Sequence, residues 1–241
     1  MEGTVLRMLV ALVAASLLGA PQARAGEAEM PAVYQEDFEK DGALAKWEPT
    51  DPAQWKIGAD DDNKVLSLHG RKSAYKTKFR SPFSFALLRD VCVGDFVLDV
   101  KAKSTVKPYG HQDLCFFFGY QDPTHFYYVH IAVGADPNAH SVMIVNDKPR
   151  VSLLGEPGKD IGGETFRTKG IVWGEGWHNV RVIRKVADGL IEVYFDDMAN
   201  PIMRVKDKTF TWGRIGVGSF DDTGDFDDIV VRGVKVEPPK E

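Results

Sequence analysis

The amino-acid sequence predicts an all-β fold, a two-sheet antiparallel β-sandwich. Short runs of β-branched and aromatic residues, separated by turn residues, recur along the chain, and no amphipathic helical stretch of any length competes with them. The number of these runs indicates two stacked sheets. A chain of 241 residues is also long enough to bury a substantial core in a single domain.

The predicted strands, in chain order, are residues 33–38, 55–57, 65–68, 76–79, 96–103, 114–120, 125–132, 141–145, 150–154, 170–173, 177–184, 190–195, 214–220 and 228–236. Glycine, proline, asparagine and aspartate in the segments between them favour turns. Two of these segments, Asn146-Asp147-Lys148 and Ala187-Asp188-Gly189, predict tight hairpins. Residues 155–163, which are rich in glycine, predict a loop.

The two ends of the chain are predicted to lie outside the folded domain. Arg7 precedes an apolar stretch that is too short to span a bilayer, and Ala23-Arg24-Ala25 has the small-x-small pattern of a cleavage site. We therefore expect a signal peptide at residues 1–25, a polar lead-in at 26–32, a single domain at 33–236 and a tail at 237–241. The mature protein would be secreted or periplasmic, and it would have no transmembrane segment.

The net charge limits the classes of partner, and the positions of the cysteines bear on whether a disulfide forms. The formal net charge is −5, and it becomes −6 when residues 1–25 are removed, because Arg7 and Arg24 are lost together with Glu2. A mildly acidic domain does not favour a polyanion such as nucleic acid. The two cysteines, Cys92 and Cys115, are predicted to stay unpaired, because the strand register described next separates them by more than the ~7 Å between Cα atoms that a disulfide tolerates.

The turn between two central strands predicts their register. The proline in the loop 121–124 cannot continue a strand, so Tyr120 should lie opposite His125. Alternate residues then face a core, while Phe117 and Tyr128 lie side by side on the second face of the sheet.

This second face predicts a ligand-binding surface. We expect residues 96–103 to form the neighbouring strand of the same ladder, which brings charged side chains beside aromatic ones. Aromatic faces and charged hydrogen bonds are the usual means of holding sugars. The predicted ligand-binding residues are Asp99, Lys101, Asp113, Phe117, Tyr128 and His130. An ordinary solvated outer face of a sheet carries a similar mixture, and this alternative stays open.

Several motifs spread over most of the mature chain resemble one family. They are Glu36-Asp37-Phe38-Glu39, Gln54-Trp55-Lys56-Ile57, Phe126-Tyr127-Tyr128-Val129, Gly176-Trp177-His178-Asn179 and Gly213-Arg214-Ile215-Gly216. On these residues the chain resembles the concanavalin A-like jelly-roll domains of bacterial secreted proteins, of the 3-keto-disaccharide hydrolase or laminin-G-like type. The resemblance implies a jelly roll that binds a saccharide on its concave sheet. This fold carries lectins, hydrolases, lyases and adhesive modules, so the resemblance does not select one activity.

The resemblance also implies a structural calcium ion where the first strand meets the last. Such domains often hold the ion there with backbone oxygens and a carboxylate, and oxygen ligands suit Ca²⁺. Carried onto this sequence, the metal ligands are Asp37 and Asp228, with Asp227 in place of Asp228 if the register slips.

The sequence does not assign catalytic residues. Retaining glucanases of this fold carry glutamate and aspartate at alternate positions of one strand, and the chain has no such motif. Polysaccharide lyases use a tyrosine or histidine to remove a proton next to a uronate carboxylate, and Tyr128 and His130 with Lys101 or Lys103 offer such a set. The six histidines lack the close spacing typical of zinc sites.

The sequence therefore predicts an exported protein that binds or processes a saccharide or glycan on its concave sheet. A glycoside hydrolase-like or polysaccharide lyase enzyme on the same face is one alternative, and a non-catalytic protein-interaction module is another. If the face is open, Phe117→Ala should change the free energy of unfolding by no more than ~0.5 kcal/mol.

Overall fold

The computed structural model describes residues 30–238, which form fifteen strands and two short 3₁₀ helices, Ala43–Lys46 and Pro52–Gln54. The strands are β1 (Ala32–Glu36), β2 (Trp47–Pro49), β3 (Trp55–Asp60), β4 (Asn63–Leu68), β5 (Ser84–Ser104), β6 (Asp113–Asp122), β7 (His125–Ala132), β8 (Ser141–Asn146), β9 (Val151–Ser152), β10 (Phe166–Arg167), β11 (His178–Lys185), β12 (Leu190–Phe195), β13 (Met203–Lys206), β14 (Gly213–Ser219) and β15 (Gly224–Lys235). The predicted all-β antiparallel sandwich is confirmed. The predicted signal peptide lies outside the described residues. Within them, no helix is long and apolar enough to cross a membrane.

One long strand, β5, belongs to both layers of the sandwich. Its first part, residues 84–93, pairs with β14 and β2, and its second part, residues 93–104, pairs with β11 and β15. The front sheet therefore runs β2-β5-β14-β6-β7-β8-β9. The back sheet runs β10-β13-β12-β11-β5-β15, with β1 and β4 paired to β15 and β3 paired to β4.

The alternation of side chains along β5 breaks at a bulge. Asp90 has a left-handed backbone with φ 53°, and the pairing of β5 with β14 shifts register at this level. Ala86 and Leu88 face the core before the bulge, and Val91 and Val93 face it afterwards. The bulge thus lets one strand turn from the front sheet into the back sheet while it keeps the same side against the core.

The front sheet is buried on both faces. Its inner face contributes Phe116, Phe118 and Tyr127 to the main core, which lies between the two sheets. Its outer face carries a second apolar cluster, and none of the members is more than 8% exposed: Phe85, Leu87, Cys115, Phe117, Tyr120, Phe126, Tyr128, Met143 and Val145.

The register along most of β6 and β7 is as predicted, but the turn between them is not. Asp122, instead of Tyr120, lies opposite His125. The reason is an irregularity in β6 around Gly119, whose backbone is left-handed with φ 57° and which leaves extra residues on that strand. The loop between the two strands is therefore shorter than the predicted loop at residues 121–124.

The predicted neighbour of β6 is wrong. β14 pairs with β6, and residues 96–103 lie in the back sheet.

The cysteines are free, as predicted, but for a different reason. Cys92 on β5 and Cys115 on β6 lie on opposite sides of β14, so two strand spacings of ~4.8 Å separate their backbones. That distance exceeds the Cα separation of a disulfide.

Several strand boundaries also differ from the sequence prediction. Residues 76–79 and 170–173 are not strands, and the predicted strand 150–154 is reduced to Val151–Ser152. The first part of β5 is absent from the prediction, because the run Phe85-Ala86-Leu87-Leu88 is apolar throughout and shows no alternation. Such a run is typical of a strand that is buried on both faces, and all four residues are buried.

His140 places a buried imidazole at the edge of the front sheet. Its Nε2 lies 2.8 Å from Thr168 Oγ1, and its Nδ1 accepts a hydrogen bond from the Ala132 amide at 3.4 Å. Burial, followed by the positive charge of Arg167, lowers the pKa of His140 to about 4. An unfolded chain protonates histidine near pH ~6.5, so this residue's contribution to stability is complete above that pH and is lost as the pH falls toward 4.

We expect His140 to remove about 2 kcal/mol from the free energy of unfolding between about pH 7 and about pH 5. His140→Gln, which keeps a donor and an acceptor, should show a flatter profile over that range. Urea unfolding at stepped pH measures both proteins. Parallel profiles would show that another group causes the acid sensitivity.

Candidate functional site

Four of the six predicted ligand-binding residues lie together on the outer face of the front sheet. Asp113 and Phe117 are on β6, and Tyr128 and His130 are on β7. The rings of Phe117 and Tyr128 stack with centroids 5.7 Å apart, and the Tyr128 and His130 rings are 6.1 Å apart. His130 Nε2 lies 3.3 Å from Asp113 Oδ2.

The other two predicted residues, Asp99 and Lys101, lie on the outer face of the back sheet. Asp99 accepts hydrogen bonds from Arg181 Nε and Arg232 Nη1, both at 2.6 Å. Lys101 Nζ forms a salt bridge with Asp228 Oδ2 at 2.7 Å. Because β14 is the neighbour of β6, the core of the sandwich separates these residues from the other four. The expected single surface of six residues is therefore wrong.

The aromatic rings of the predicted surface are not open to solvent. Phe117 and Tyr128 are both 0% exposed, and Phe85 stacks on Phe117 with centroids 4.5 Å apart. A sugar cannot stack on rings that other side chains already cover. The predicted lyase residues are also closed to a substrate, because Tyr128 is 0% exposed and His130 only 5% exposed.

Residues 71–80, which we call the basic strap, pass over this outer face. Tyr75 packs edge-on against Phe85, with ring centroids 6.0 Å apart, and joins the apolar cluster. At the start of the strap, Arg71 Nη2 donates a hydrogen bond to Asp222 Oδ1 at 3.1 Å. The strap is thus held to the sheet by an aromatic contact and a salt bridge.

The side chains of the strap alternate between the sheet and the solvent. Ser73 and Tyr75 are at least half-buried, as are Thr77 and Phe79. The exposed positions that alternate with them include four cations, Lys72, Lys76, Lys78 and Arg80. Because exposed and more buried side chains alternate along the strap, these cations lie on its solvent side. Among residues 30–238, no carboxylate forms a salt bridge with any of the four.

A largely buried aromatic ring, Phe220, lies beside the strap. The guanidinium carbons of Arg80 and Arg150 are 5.3 Å and 4.5 Å from its centroid, which is cation–π geometry. The Nε and Nη1 atoms of Arg150 are buried and have no hydrogen-bond partner in the described part of the chain. In the described part of the chain, neither Arg80 nor Arg150 forms a salt bridge with an acidic side chain.

A buried polar cluster adjoins Phe220. It consists of Asp113, Cys115 and His130, and one nitrogen, oxygen or sulfur atom of each lies within 4.8 Å of the others. Cys115 Sγ is 3.9 Å from Asp113 Oδ1. The same carboxylate oxygen accepts hydrogen bonds from Ser219 Oγ at 2.9 Å and from the Phe220 amide at 3.3 Å.

Burial sets the protonation states in this cluster. It raises the pKa of the Cys115 thiol and that of the Tyr128 phenol well above their ordinary values. For Asp113, burial is the largest influence and acts to raise the pKa, but the charge of His130 and the hydrogen bonds from Phe220 and Ser219 together hold it below its ordinary value. The cluster therefore combines a carboxylate with a neutral thiol and a neutral phenol at neutral pH.

The predicted calcium ligands do not fit as a pair. The Asp228 carboxylate is bound to Lys101, and Asp37 Oδ1 accepts a hydrogen bond from the Glu39 amide at 3.3 Å. Asp227 fits better, because its Oδ1 is buried with no partner in the described chain and the pairing of β15 with β5 shifts register just after it. Burial raises the pKa of Asp227. An unpartnered carboxylate oxygen suits a hard cation such as Ca²⁺.

The strap, Phe220 and Arg150 are absent from the sequence-predicted site. The strap did carry a signal, because residues 71–80 contain five cations in a protein of net charge −5, and four of them occupy even-numbered positions. Alternation of this kind indicates an extended segment with one charged side. Arg150 and Phe220 meet only through the tertiary fold, so no local pattern could have joined them.

Comparisons with known proteins confirm the jelly-roll fold. No protein-family model matches the chain, and no curated protein does. The carbohydrate-binding module CBM66 from Bacillus subtilis superposes with a TM-score of 0.53 at 13% identity, over 78% of this chain and 96% of that one. The cellulose induced protein Cip1 gives 0.54 at 13% identity, over 86% and 100%. A GH43 protein, BlXynB from Bacillus licheniformis, gives 0.54 at 12%, over 89% of this chain and 41% of that one.

We expect Phe117→Ala to destabilise the protein by about 3–5 kcal/mol, as Phe118→Ala should, because both rings fill closed clusters. Val172→Ala is the matched control, since Val172 is 78% exposed and its truncation should cost no more than ~0.5 kcal/mol. Chemical denaturation measures all three. A small effect for Phe117→Ala would show that the outer face is open after all.

Proposed function

We propose that this is an exported protein that binds acidic saccharides on the basic strap. The observation that carries the proposal is the exposed group of Lys72, Lys76, Lys78 and Arg80, which lack carboxylate partners among the described residues. The fold is that of a carbohydrate-binding module from Bacillus subtilis, which supports saccharide as the ligand class. The predicted signal peptide at residues 1–25 supports export.

The spacing of the cations suits a linear anionic polymer. Neighbouring same-side positions of an extended chain are ~7 Å apart, so Lys76 and Lys78 can bind successive charges along one strand. Carboxylate and sulfate groups accept charge-assisted hydrogen bonds from lysine and arginine. The guanidinium groups of Arg80 and Arg150 both lie over the ring of Phe220, which brings Arg150 next to the cations of the strap.

Binding is better supported than catalysis. The candidate proton-transfer residues, Tyr128 and His130, are 0% and 5% exposed, so a bound polymer could not reach them. The hydrolase-like and lyase readings remain alternatives that an assay of product formation addresses. A protein-interaction module is the alternative if no saccharide binds.

We expect the wild-type protein to bind a uronate polymer such as pectate or a sulfated one such as heparin, and to leave neutral dextran unbound. Screening weakens contacts between exposed charges, so affinity should fall as salt rises. The triple variant Lys72→Glu, Lys76→Glu, Lys78→Glu should bind at least about tenfold more weakly, which corresponds to ~1.4 kcal/mol. Calorimetry gives the affinities, and comparison of the two polymers separates carboxylate from sulfate recognition.

The matched control changes three exposed lysines elsewhere, as Lys40→Glu, Lys169→Glu and Lys208→Glu. It alters the net charge equally but leaves the strap intact, so it should retain most of the affinity. Equal losses of affinity in the two variants would show that binding depends only on the net charge of the protein. Binding of neutral glycans with no effect of the strap variant would contradict the proposal.

Calcium remains a prediction, with Asp227 as the carboxylate ligand. A ligand that binds only the folded state stabilises it by ~2.7 kcal/mol at a hundredfold excess over its Kd, so chelation should lower the Tm by several degrees. Asp227→Asn should remove the response to chelator. Differential scanning calorimetry with and without chelator, together with elemental analysis, tests this prediction. If chelator leaves the Tm unchanged and the protein contains no calcium, the predicted site is wrong.

A further inference from the structure

The buried cluster on the front sheet has the orientation of a ligand set. His130 Nδ1 lies 3.0 Å from the carbonyl oxygen of Asn138, and because a carbonyl only accepts, Nδ1 carries the proton. In the neutral form of the ring, the free lone pair is then on Nε2, which faces Asp113. A backbone carbonyl that fixes the tautomer in this way is the usual support of a metal-binding histidine.

The Cys115 thiol donates a hydrogen bond to Asp113 Oδ1, but one ligand atom of the cluster has no partner. His130 Nε2 is 3.3 Å from Asp113 Oδ2 but does not meet hydrogen-bond geometry, and it has no other partner among residues 30–238. Tyr128, 0% exposed on the same face, has a hydroxyl with no partner in that part of the chain. Buried polar atoms without partners are costly and rare, which indicates a bound species that completes them.

We propose that Asp113, Cys115 and His130 bind a divalent transition metal, with Zn²⁺ as the best match. Sulfur, imidazole nitrogen and carboxylate oxygen together are the donors that zinc takes, whereas Ca²⁺ takes oxygen alone. Three protein ligands leave a fourth position, which a water molecule would occupy. Binding replaces the proton of the Cys115 thiol by the metal and releases that proton to solvent.

The side chains are close enough together for this assignment, because one ligand atom of each residue lies within 4.8 Å of the others and small side-chain shifts bring them to bonding distance. Tetrahedral zinc, with bonds of ~2.0–2.3 Å, places its ligand atoms ~3.5 Å from each other. The observed separations are 3.3 Å from His130 Nε2 to Asp113 Oδ2 and 3.9 Å from Cys115 Sγ to Asp113 Oδ1. The carboxylate is also held from outside, by Ser219 Oγ at 2.9 Å, as ligating carboxylates usually are.

The strand geometry explains why sequence spacing does not reveal the site. Cys115 and His130 are cross-strand partners on β6 and β7, fifteen positions apart in the chain, and Asp113 is two residues before Cys115 on the same face. Among nearby charges, Asp221 and Asp222 favour a bound cation, while Arg150 opposes it. The site is independent of saccharide binding, because its residues are buried and the strap cations are exposed.

The test is a Co²⁺ titration of the full chain after dialysis against a chelator. We expect saturation at one equivalent, a thiolate-to-cobalt charge-transfer band in the near ultraviolet, and displacement of cobalt by Zn²⁺. Cys115→Ser should lose the band and the stoichiometry, and Cys92→Ser, which removes the other thiol, should keep both. His130→Gln should weaken cobalt binding at least about tenfold.

The wild-type titration decides the proposal even if Cys115→Ser does not fold. The chain has two cysteines, so a band that persists in Cys92→Ser assigns the thiolate to Cys115. Absence of a charge-transfer band in folded wild-type protein, or its loss in Cys92→Ser, would overturn the proposal. Retention of the band in a folded Cys115→Ser variant would do so as well.

Discussion

The continuity of β5 is the constraint on which the rest of the structure depends. Its 21 residues pair with β2, β14, β11 and β15, so one strand fixes the register of both sheets. A one-residue slip in a strand that faces a core on one side would reverse every side chain. The bulge at Asp90 is therefore functional in the fold, because it changes the direction of the strand without turning its apolar side away from the core.

The position of β14 follows from β5 and determines the chemistry of the front sheet. β14 lies between the first part of β5 and β6, so the face that the sequence assigns to ligand binding lies opposite the charged pairs of Asp99 and Lys101. Aromatic pairs on that face, such as Phe85 with Phe117, contribute about 0.5–1.5 kcal/mol each beyond their buried area. The face thus stabilises the fold, and the solvent-facing charges of the strap are the surface on which we propose that ligands bind.

The sequence predicted those features that depend on local alternation. The two-layer architecture, the inner face of β6 and β7, and the grouping of Asp113, Tyr128 and His130 all follow from period-two patterns, and the irregularity at Gly119 keeps the predicted register although the turn differs. The failures have a common physical cause, since they concern contacts between segments far apart in the chain. Nothing local shows that β14 inserts beside β6 or that residues 71–80 cover the aromatic face. The strand at residues 85–88 is not predicted from the sequence, because a strand that is buried on both sides has no alternation of apolar and polar residues.

The loop that follows β14 connects the strap to the buried cluster. Asp222 accepts a hydrogen bond from Arg71 of the strap through Oδ1 and another from the Asp113 amide through Oδ2, at 3.1 Å each. The Phe220 amide donates to Asp113 Oδ1, while its ring lies against Arg80. Because the same short loop orients the carboxylate of the cluster and anchors the strap, order in one region supports order in the other. The exposed cations and the buried cluster therefore share one support while remaining chemically separate, and we propose that the first bind anions in solvent and the second a cation inside the protein.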